Sequence, residues 1–254
     1  MKMTVIGCSG SYPGPDSTAS CYLLEAEHDG RSWRVLLELG NGALGQLHNY
    51  IDPLTVDAVL FSHLHSDHCL DLCGFYVMRK YHPLGPQRRI PVWGPPDTAD
   101  RMARAYDLPL DPGMREEFEF RVFEGPFAFG PFAIEPVEVD HPVDAFGLRI
   151  TADGATIGYS GDTGPCEGFD RVAEGAQLLL AEASFRKGDN NPPHLHLTGT
   201  DCAEAATKGG AERLVLTHIP PWHDKKFALA EAEAAYDGPV ELARPGAVYE
   251  LGTS

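Results

Sequence analysis

Short apolar runs, too short for helices, dominate the hydrophobic pattern of the first two thirds of the chain. The last third alternates such runs with longer segments of helical spacing. The pattern predicts helices at Leu72–Tyr81, Asp201–Lys208 and Phe227–Ala235, and strands at Thr4–Ile6, Ser20–Leu24, Val35–Leu39, Val56–Phe61, Ile90–Trp93, Glu117–Val122, Phe132–Val139, Phe146–Ile150, Thr156–Tyr159, Gln177–Ala181 and Leu214–Leu216.

This alternation predicts an α/β fold in which two sheet-forming halves are covered by helices, a four-layer αββα sandwich. No serine-rich linker, low-complexity tract or short repeat divides the sequence. With 254 residues, 43% of them hydrophobic, the chain can bury a large core. We therefore expect one domain over residues 1–254.

The chain is acidic, with 20 Lys and Arg against 37 Asp and Glu and a formal net charge of −17. An acidic surface repels polyanions and offers no footprint for extended nucleic acid. The first apolar residues are too few for a signal peptide, and no later run approaches the length of a membrane helix. We expect a cytoplasmic protein that does not bind a membrane.

Six cysteines are scattered along the chain, which favours reduced thiols over a disulfide framework. Cys69 and Cys73 lie beside a histidine-rich run and are candidates for zinc ligands. Cysteines at helical spacing more often pack against a neighbouring element, so we expect this pair to be part of the core.

Metal-competent side chains follow four of the predicted strands directly. Because strand ends converge at one edge of a sheet core, a rigid scaffold would hold the four side chains together. These residues are His63 after Val59–Ser62, His141 after Val137–Asp140, Asp162 after Ile157–Gly161, and His218 after Leu214–Thr217.

The run His63-Leu64-His65-Ser66-Asp67-His68 holds three histidines and an aspartate within six residues. Alternate residues of an extended segment point the same way, which places His63 and His65 on one ion and turns Asp67 and His68 towards a second. Imidazole together with carboxylate suits zinc, manganese or iron far better than calcium. The run predicts a site for two divalent ions, most favourably Zn²⁺, with Mn²⁺ or Fe²⁺ as alternatives.

The same run resembles the HxHxDH signature of the metallo-β-lactamase fold, and the later His141, Asp162 and His218 stand in the order that this fold uses. The resemblance covers essentially the whole chain, from the turn Gly7-Cys8-Ser9-Gly10-Ser11 to a strand after Pro239. It implies two groups of metal ligands, with His63, His65 and His141 on one ion, Asp67, His68 and His218 on the other, and Asp162 bridging the two ions.

Within that fold the chain is most similar to the phosphodiesterase branch, which includes ribonuclease Z and atypical bacterial cyclic-nucleotide phosphodiesterases. Ala181-Glu182-Ala183-Ser184 resembles the His-Glu-Ala-Thr segment of the branch, and His196-Leu197-Thr198 resembles its His-Ser-Thr segment. The resemblance implies that Glu182 orients His196, which contacts the scissile phosphate. Asp67, Glu182 and His196 are thus the candidate catalytic residues, and the nearby His194 stays open as a substitute for His196.

The chain also departs from the family pattern. Glu38 stands where many members have an aspartate after the third strand, so support of the metal loop is expected to differ. His218 is followed by Ile219-Pro220-Pro221-Trp222-His223 instead of the arginine-aromatic pair of the ribonucleases. The sequence also has no long glycine-rich basic insertion of the kind that grips transfer RNA.

These features favour a phosphodiesterase that opens cyclic AMP or cyclic GMP to the 5′-monophosphate. Three alternatives remain: a ribonuclease Z-type endonuclease that processes transfer RNA, a lactone, thioester or β-lactam hydrolase, and a non-catalytic metal-binding or nucleotide-sensing module. Nucleic acid is a partner only under the first alternative. The branch often forms homodimers, which makes a homodimer an expectation. Trp222, Phe185 and Phe75 are candidates for stacking on a purine base.

Overall fold

The strands and helices come from a computed structural model of the protein, which describes residues 1–252; residues 253 and 254 of the predicted domain lie outside the described residues. The strands are β1 (Lys2–Gly7), β2 (Cys21–His28), β3 (Arg31–Leu37), β4 (Ala58–Leu60), β5 (Ile90–Gly94), β6 (Phe118–Val122), β7 (Phe127–Phe129), β8 (Phe132–Glu138), β9 (Phe146–Ala152), β10 (Ala155–Tyr159), β11 (Leu178–Glu182), β12 (Leu214–Thr217), β13 (Val240–Leu242) and β14 (Val248–Glu250). The helices are α1 (Ala43–Leu47), α2 (Ser66–Cys69), α3 (Leu72–Lys80), α4 (Thr98–Ala105), α5 (Glu167–Ala173), α6 (Gly199–Gly209) and α7 (Lys225–Glu233), with a short 3-10 helix at Pro53–Thr55.

The strands form two seven-stranded mixed sheets. The first has the order β14-β1-β2-β3-β4-β5-β6 and the second the order β13-β12-β11-β10-β9-β8-β7. Strands β3 to β6 run parallel in the first sheet, and β10 to β13 run parallel in the second. Parallel strands present their carboxyl ends at one edge, which is where ligands bind in open α/β sheets.

The two sheets pack face to face over one apolar core, to which Leu24 and Leu60 contribute from the first sheet and Ile157 and Leu180 from the second. On the outer face of the first sheet lie α1, α3 and α4, with a second core. Helices α5, α6 and α7 cover the second sheet over a third core. This arrangement confirms the predicted α/β fold as a four-layer αββα sandwich.

Every predicted strand and helix is present, with shifted ends. The strand predicted at Val35–Leu39 begins earlier, at Arg31, and stops at Leu37. Glu38 has a φ of 63°, a left-handed conformation that a strand does not accommodate. The sequence missed β7, β14, α1, α2, α4 and α5, most of which are too short to develop a clear period. Within residues 1–252, no helix combines the length and apolar character needed to cross a bilayer.

Candidate metal centre

The histidine-rich run lies in the connection between β4 and α3, at the carboxyl end of the first sheet. His63 and His65 belong to the extended part of this connection, and His65 has a ψ of 152°. The chain then turns into α2, which carries Asp67 and His68. The change from extended to helical backbone separates the run into two pairs that face different partners.

One group consists of His63, His65, His141 and Asp162, whose nitrogen and oxygen atoms lie within 4.8 Å of one another. The Nδ1 atom of His65 is 3.0 Å from Nε2 of His63 and 3.3 Å from Nε2 of His141. Ligands of a tetrahedral zinc ion with bonds near 2.0–2.1 Å stand about 3.3 Å apart. The spacing of these three nitrogens fits such an ion.

A second group consists of Asp67, His68 and His218. The Nε2 atoms of His68 and His218 are 3.1 Å apart, and Asp67 Oδ2 is 3.0 Å from His218 Nε2. Asp162 stands between the groups, with Oδ1 3.3 Å from His68 Nε2 and Oδ2 3.8 Å from His63 Nε2. All seven sequence-predicted ligands thus meet at one place, and Asp162 lies within 4 Å of a histidine of each group.

The protonation of the first group also suits a metal, because ligating histidines must be neutral. Burial lowers the pKa of His63 well below its ordinary value, and burial lowers the pKa of His65 and His141 as well. His63 is fully buried, whereas His65 is exposed. The centre is therefore open to solvent on the side of His65.

Neighbouring groups fix the rings of three histidines through their Nδ1 atoms. His141 Nδ1 donates to the carbonyl of Leu195 at 3.0 Å, which leaves Nε2 as the ligand atom. His218 Nδ1 is 2.9 Å from Ser184 Oγ, and His63 Nδ1 is 3.0 Å from Ser62 Oγ. Such contacts hold ring orientation and tautomer in metal sites.

Glu38 is the group that faces Nδ1 of His68, although at a longer distance than in the three other histidines. Its side chain is fully buried, its Oε1 accepts a hydrogen bond from the backbone of Ser62 at 3.0 Å, and the same oxygen is 3.5 Å from His68 Nδ1. The glutamate that departs from the family pattern therefore connects the residue before His63 with His68.

Beside the metal groups, Glu182 and His196 form a pair. The Glu182 carboxylate is fully buried and accepts hydrogen bonds from Thr163 N at 3.2 Å, Ser184 N at 3.0 Å and His196 Nδ1 at 2.8 Å. His196 Nδ1 is 3.9 Å from Asp162. Burial disfavours the charged imidazole, but the Glu182 carboxylate outweighs it and raises the pKa of His196 to about 9. The pair can hold a proton next to the bridging residue.

The other candidates occupy different surroundings. His194 is exposed and binds Asp140 at 2.5 Å, so His196 and not His194 contacts Glu182. Phe75 is fully buried against Phe118 and is unavailable for stacking on a ligand. Trp222 is exposed. Cys69 is buried, and its thiol donates to the carbonyl of His65 at 3.3 Å.

Fold and site together define a hydrolase of the metallo-β-lactamase fold with a histidine and aspartate cluster for divalent metal. The chain belongs to the family described as the beta-lactamase superfamily domain, whose model matches residues 33–219. That range contains every candidate ligand as well as Glu182 and His196.

Several proteins are similar over nearly the whole chain. An uncharacterized protein of Mycobacterium tuberculosis is 43% identical over 246 residues, 94% of this chain and 88% of the relative. The solved structure of the metallo-β-lactamase fold protein YhfI from Bacillus subtilis is 27% identical with a TM-score of 0.86, covering 98% of each chain. Ribonuclease Z of Myxococcus xanthus is 27% identical over 311 aligned positions, 99% of this chain and 98% of the relative. Because that alignment is longer than this chain, the ribonuclease has segments without a counterpart here.

The sequence did not indicate the groups that orient the rings of the candidate ligands. Ser62 and Ser184 adjoin residues that it named, but nothing local indicates that their hydroxyl groups meet histidine rings. The carbonyl of Leu195 carries no signal in a sequence at all. Asp140, the aspartate before His141, has no role that the sequence indicates beyond ending a strand, and in the structure it binds His194.

Proposed function

We propose that the protein is a dinuclear metal-dependent phosphodiesterase that hydrolyses 3′,5′-cyclic AMP or cyclic GMP to the 5′-monophosphate. The pair of Glu182 and His196 beside Asp162 carries this proposal. Hydrolysis of a lactone or thioester does not require such a pair, whereas a phosphodiester has both a leaving oxygen and charged phosphoryl oxygens that a held imidazole can serve.

The two groups of ligands would hold two divalent ions, most favourably Zn²⁺, which supply a nucleophilic water near neutral pH and neutralise phosphoryl charge. Residues of the chain orient the substrate and donate hydrogen bonds or protons to it. Glu182 binds Nδ1 of His196 and so directs the other ring nitrogen, Nε2, to the phosphate. His196 then donates a hydrogen bond or a proton to a phosphoryl or leaving oxygen. Asp67 contributes as a ligand that also contacts His218.

A small substrate is favoured over an RNA by the charge of the chain. The formal net charge of −17 opposes approach of an extended polyanion, and the sequence has no glycine-rich basic arm. The second candidate is the transfer-RNA endonuclease, because the chain is 27% identical to a ribonuclease Z over nearly its full length. The two functions share the metal centre and differ in how far the substrate extends.

A turnover panel with zinc-, manganese- or iron-loaded protein tests the proposal. The substrates are cyclic AMP, cyclic GMP, a linear phosphodiester, a precursor transfer RNA, a lactone and a thioester. We expect turnover of the cyclic nucleotides. Cleavage of the RNA alone would support the endonuclease, and lactone or thioester turnover that persists in His196→Ala would support the third alternative. Tight nucleotide binding without turnover under all three metals would support the non-catalytic module.

A further inference from the structure

Two large aromatic side chains, Tyr12 and Trp222, lie together on the surface, and Trp222 follows the candidate ligand His218 by four residues in the sequence. Tyr12 is 42% exposed and Trp222 is 61% exposed, and their ring centroids are 5.3 Å apart with the planes inclined by 37°. Aromatic rings contribute most when both faces are covered, so an exposed pair leaves apolar area available to a ligand.

Trp222 belongs to the segment that also carries His218, and Tyr12 belongs to a turn that packs against this segment. A Cβ at Gly10 would lie 2.1 Å from the carbonyl oxygen of His218, and one at Gly14 would lie 2.9 Å from Pro221. Only glycine permits these approaches, which bring the turn that contains Tyr12 directly onto the segment after β12. The backbone turn that carries Tyr12 is therefore held against the segment that runs from His218 to Trp222.

Further contacts fix this turn. The backbone of Gly10 donates to Ile219 O at 3.4 Å, and His218 N donates to Cys8 O at 3.1 Å. Within the turn, Ser9 Oγ donates to Tyr12 O at 2.8 Å. A backbone segment held by packing and by hydrogen bonds of this kind loses little entropy when a ligand binds. The backbone of the turn that carries Tyr12 is in this sense preorganised.

The pair is also within reach of a nucleotide whose phosphate lies at the metal centre. Trp222 follows His218 by four residues, so their Cα atoms are at most about 14 Å apart. Planar bases stack on exposed aromatic rings, and this interaction tolerates any base because each one has a π-face. A flat heterocycle joined to a phosphate fits a flat aromatic surface beside a metal site.

We propose that Tyr12 and Trp222 form the base-binding subsite of the metal centre, in which the purine of the nucleotide stacks on the exposed indole. The proposal rests on the proposed cyclic-nucleotide function. Stacking accounts for affinity and provides little discrimination between adenine and guanine. Cyclic AMP and cyclic GMP should then differ little in KM.

The experiment compares metal-loaded wild type with Trp222→Ala, Trp222→Phe and the double variant Tyr12→Ala/Trp222→Ala. Loss of one stacked base contact should raise KM for cyclic AMP about 10-fold with kcat nearly unchanged. Trp222→Phe should restore most of the affinity. Tyr81→Ala, which removes another exposed aromatic ring after the end of α3, is the matched control and should leave KM unchanged.

Two measurements isolate the base from the rest of the nucleotide. As inhibitors, 5′-AMP should bind more tightly than ribose 5-phosphate to wild type, and this advantage should disappear in Trp222→Ala. As a binding probe without turnover, 5′-AMP should quench the fluorescence of Trp222, and the quenching should be absent in Trp222→Phe, which retains the less exposed Trp33 and Trp93.

The outcomes separate this proposal from the proposed function. Hydrolysis of cyclic AMP with unchanged KM in Trp222→Ala would overturn the subsite and leave the phosphodiesterase intact. No hydrolysis together with quenching by 5′-AMP would overturn the function and keep the subsite. A change in oligomeric state of Trp222→Ala on size-exclusion chromatography, without a change in inhibitor preference, would make the pair a contact between copies and overturn the subsite.

Discussion

At the scale of single residues, the two histidines near residue 195 have opposite environments although only one residue separates them. The imidazole of His196 is 14% exposed and is held by the buried Glu182, whereas His194 is 72% exposed and is bound to Asp140. His194 also has a φ of 60°. A positive φ at this position rotates the chain so that the neighbouring histidines face different sides.

This difference predicts unequal effects of two alanine substitutions. His196→Ala should lower kcat for cyclic AMP by about 100-fold or more, the usual contribution of a positioned proton donor. His194→Ala should change kcat much less, and both variants should keep the metal content of wild type. Steady-state kinetics with metal analysis checks this. Equal losses in the two variants would contradict the assignment of the proton donor to His196.

At the scale of elements, the position of α2 depends on the segment that follows β3. The backbone of Leu39 donates to the carbonyl of His68 at 2.7 Å. At Gly40 an added Cβ would lie 1.9 Å from the carbonyl oxygen of Asp67 and 2.8 Å from Cβ of Ala19. A residue larger than glycine would therefore push α2 and its two ligands out of place.

Gly40→Ala should destabilise the protein by about 1–3 kcal/mol, the common cost of an overpacked site, and should also reduce the bound metal. Gly45→Ala in α1 is the matched control, because an added Cβ there meets nothing within 4 Å. In a helix interior this control should stabilise by up to about 1 kcal/mol. Urea unfolding and metal analysis measure both effects, and wild-type metal content in Gly40→Ala would refute the role given to this contact.

At the scale of the whole molecule, the metal centre lies where the two sheets meet. The first sheet contributes the run from His63 to His68, and the second contributes His141, Asp162 and His218. Ions bound here would connect the two halves of the sandwich. A ligand that binds only the folded state adds about 2.7 kcal/mol to its stability when present at 100 times its Kd.

Removal of metal should therefore lower Tm. For a chain of this size each kcal/mol corresponds to about 2–4 °C, so treatment with a chelator should lower Tm by about 5 °C or more. The bridging variant Asp162→Ala should start from a lower Tm and show a smaller further loss. Differential scanning calorimetry with and without zinc provides the measurement. An identical Tm for loaded and chelator-treated wild type would contradict a centre that joins the sheets.

The sequence by itself determined the layers and the candidate ligands of this protein. Hydrophobic residues recur with a short period or form short continuous runs, so strands and helices can be predicted from neighbouring residues. The run from His63 to His68 concentrates its donors within six residues, and His141, Asp162 and His218 each follow a strand that the pattern predicts. These features are local, so each can be recognised from a few neighbouring residues of the sequence.

The tertiary structure alone decided how side chains distant in the sequence meet. It distinguished His196 from His194, brought Glu38 to His68, buried Phe75 and placed Tyr12 against Trp222. Apart from the motif that contains His196, none of these contacts has a period or a motif, because each depends on the packing of separate segments and on backbone angles such as the φ of 63° at Glu38. Packing of this kind is a property of the whole folded chain, which is why the sequence left these choices open.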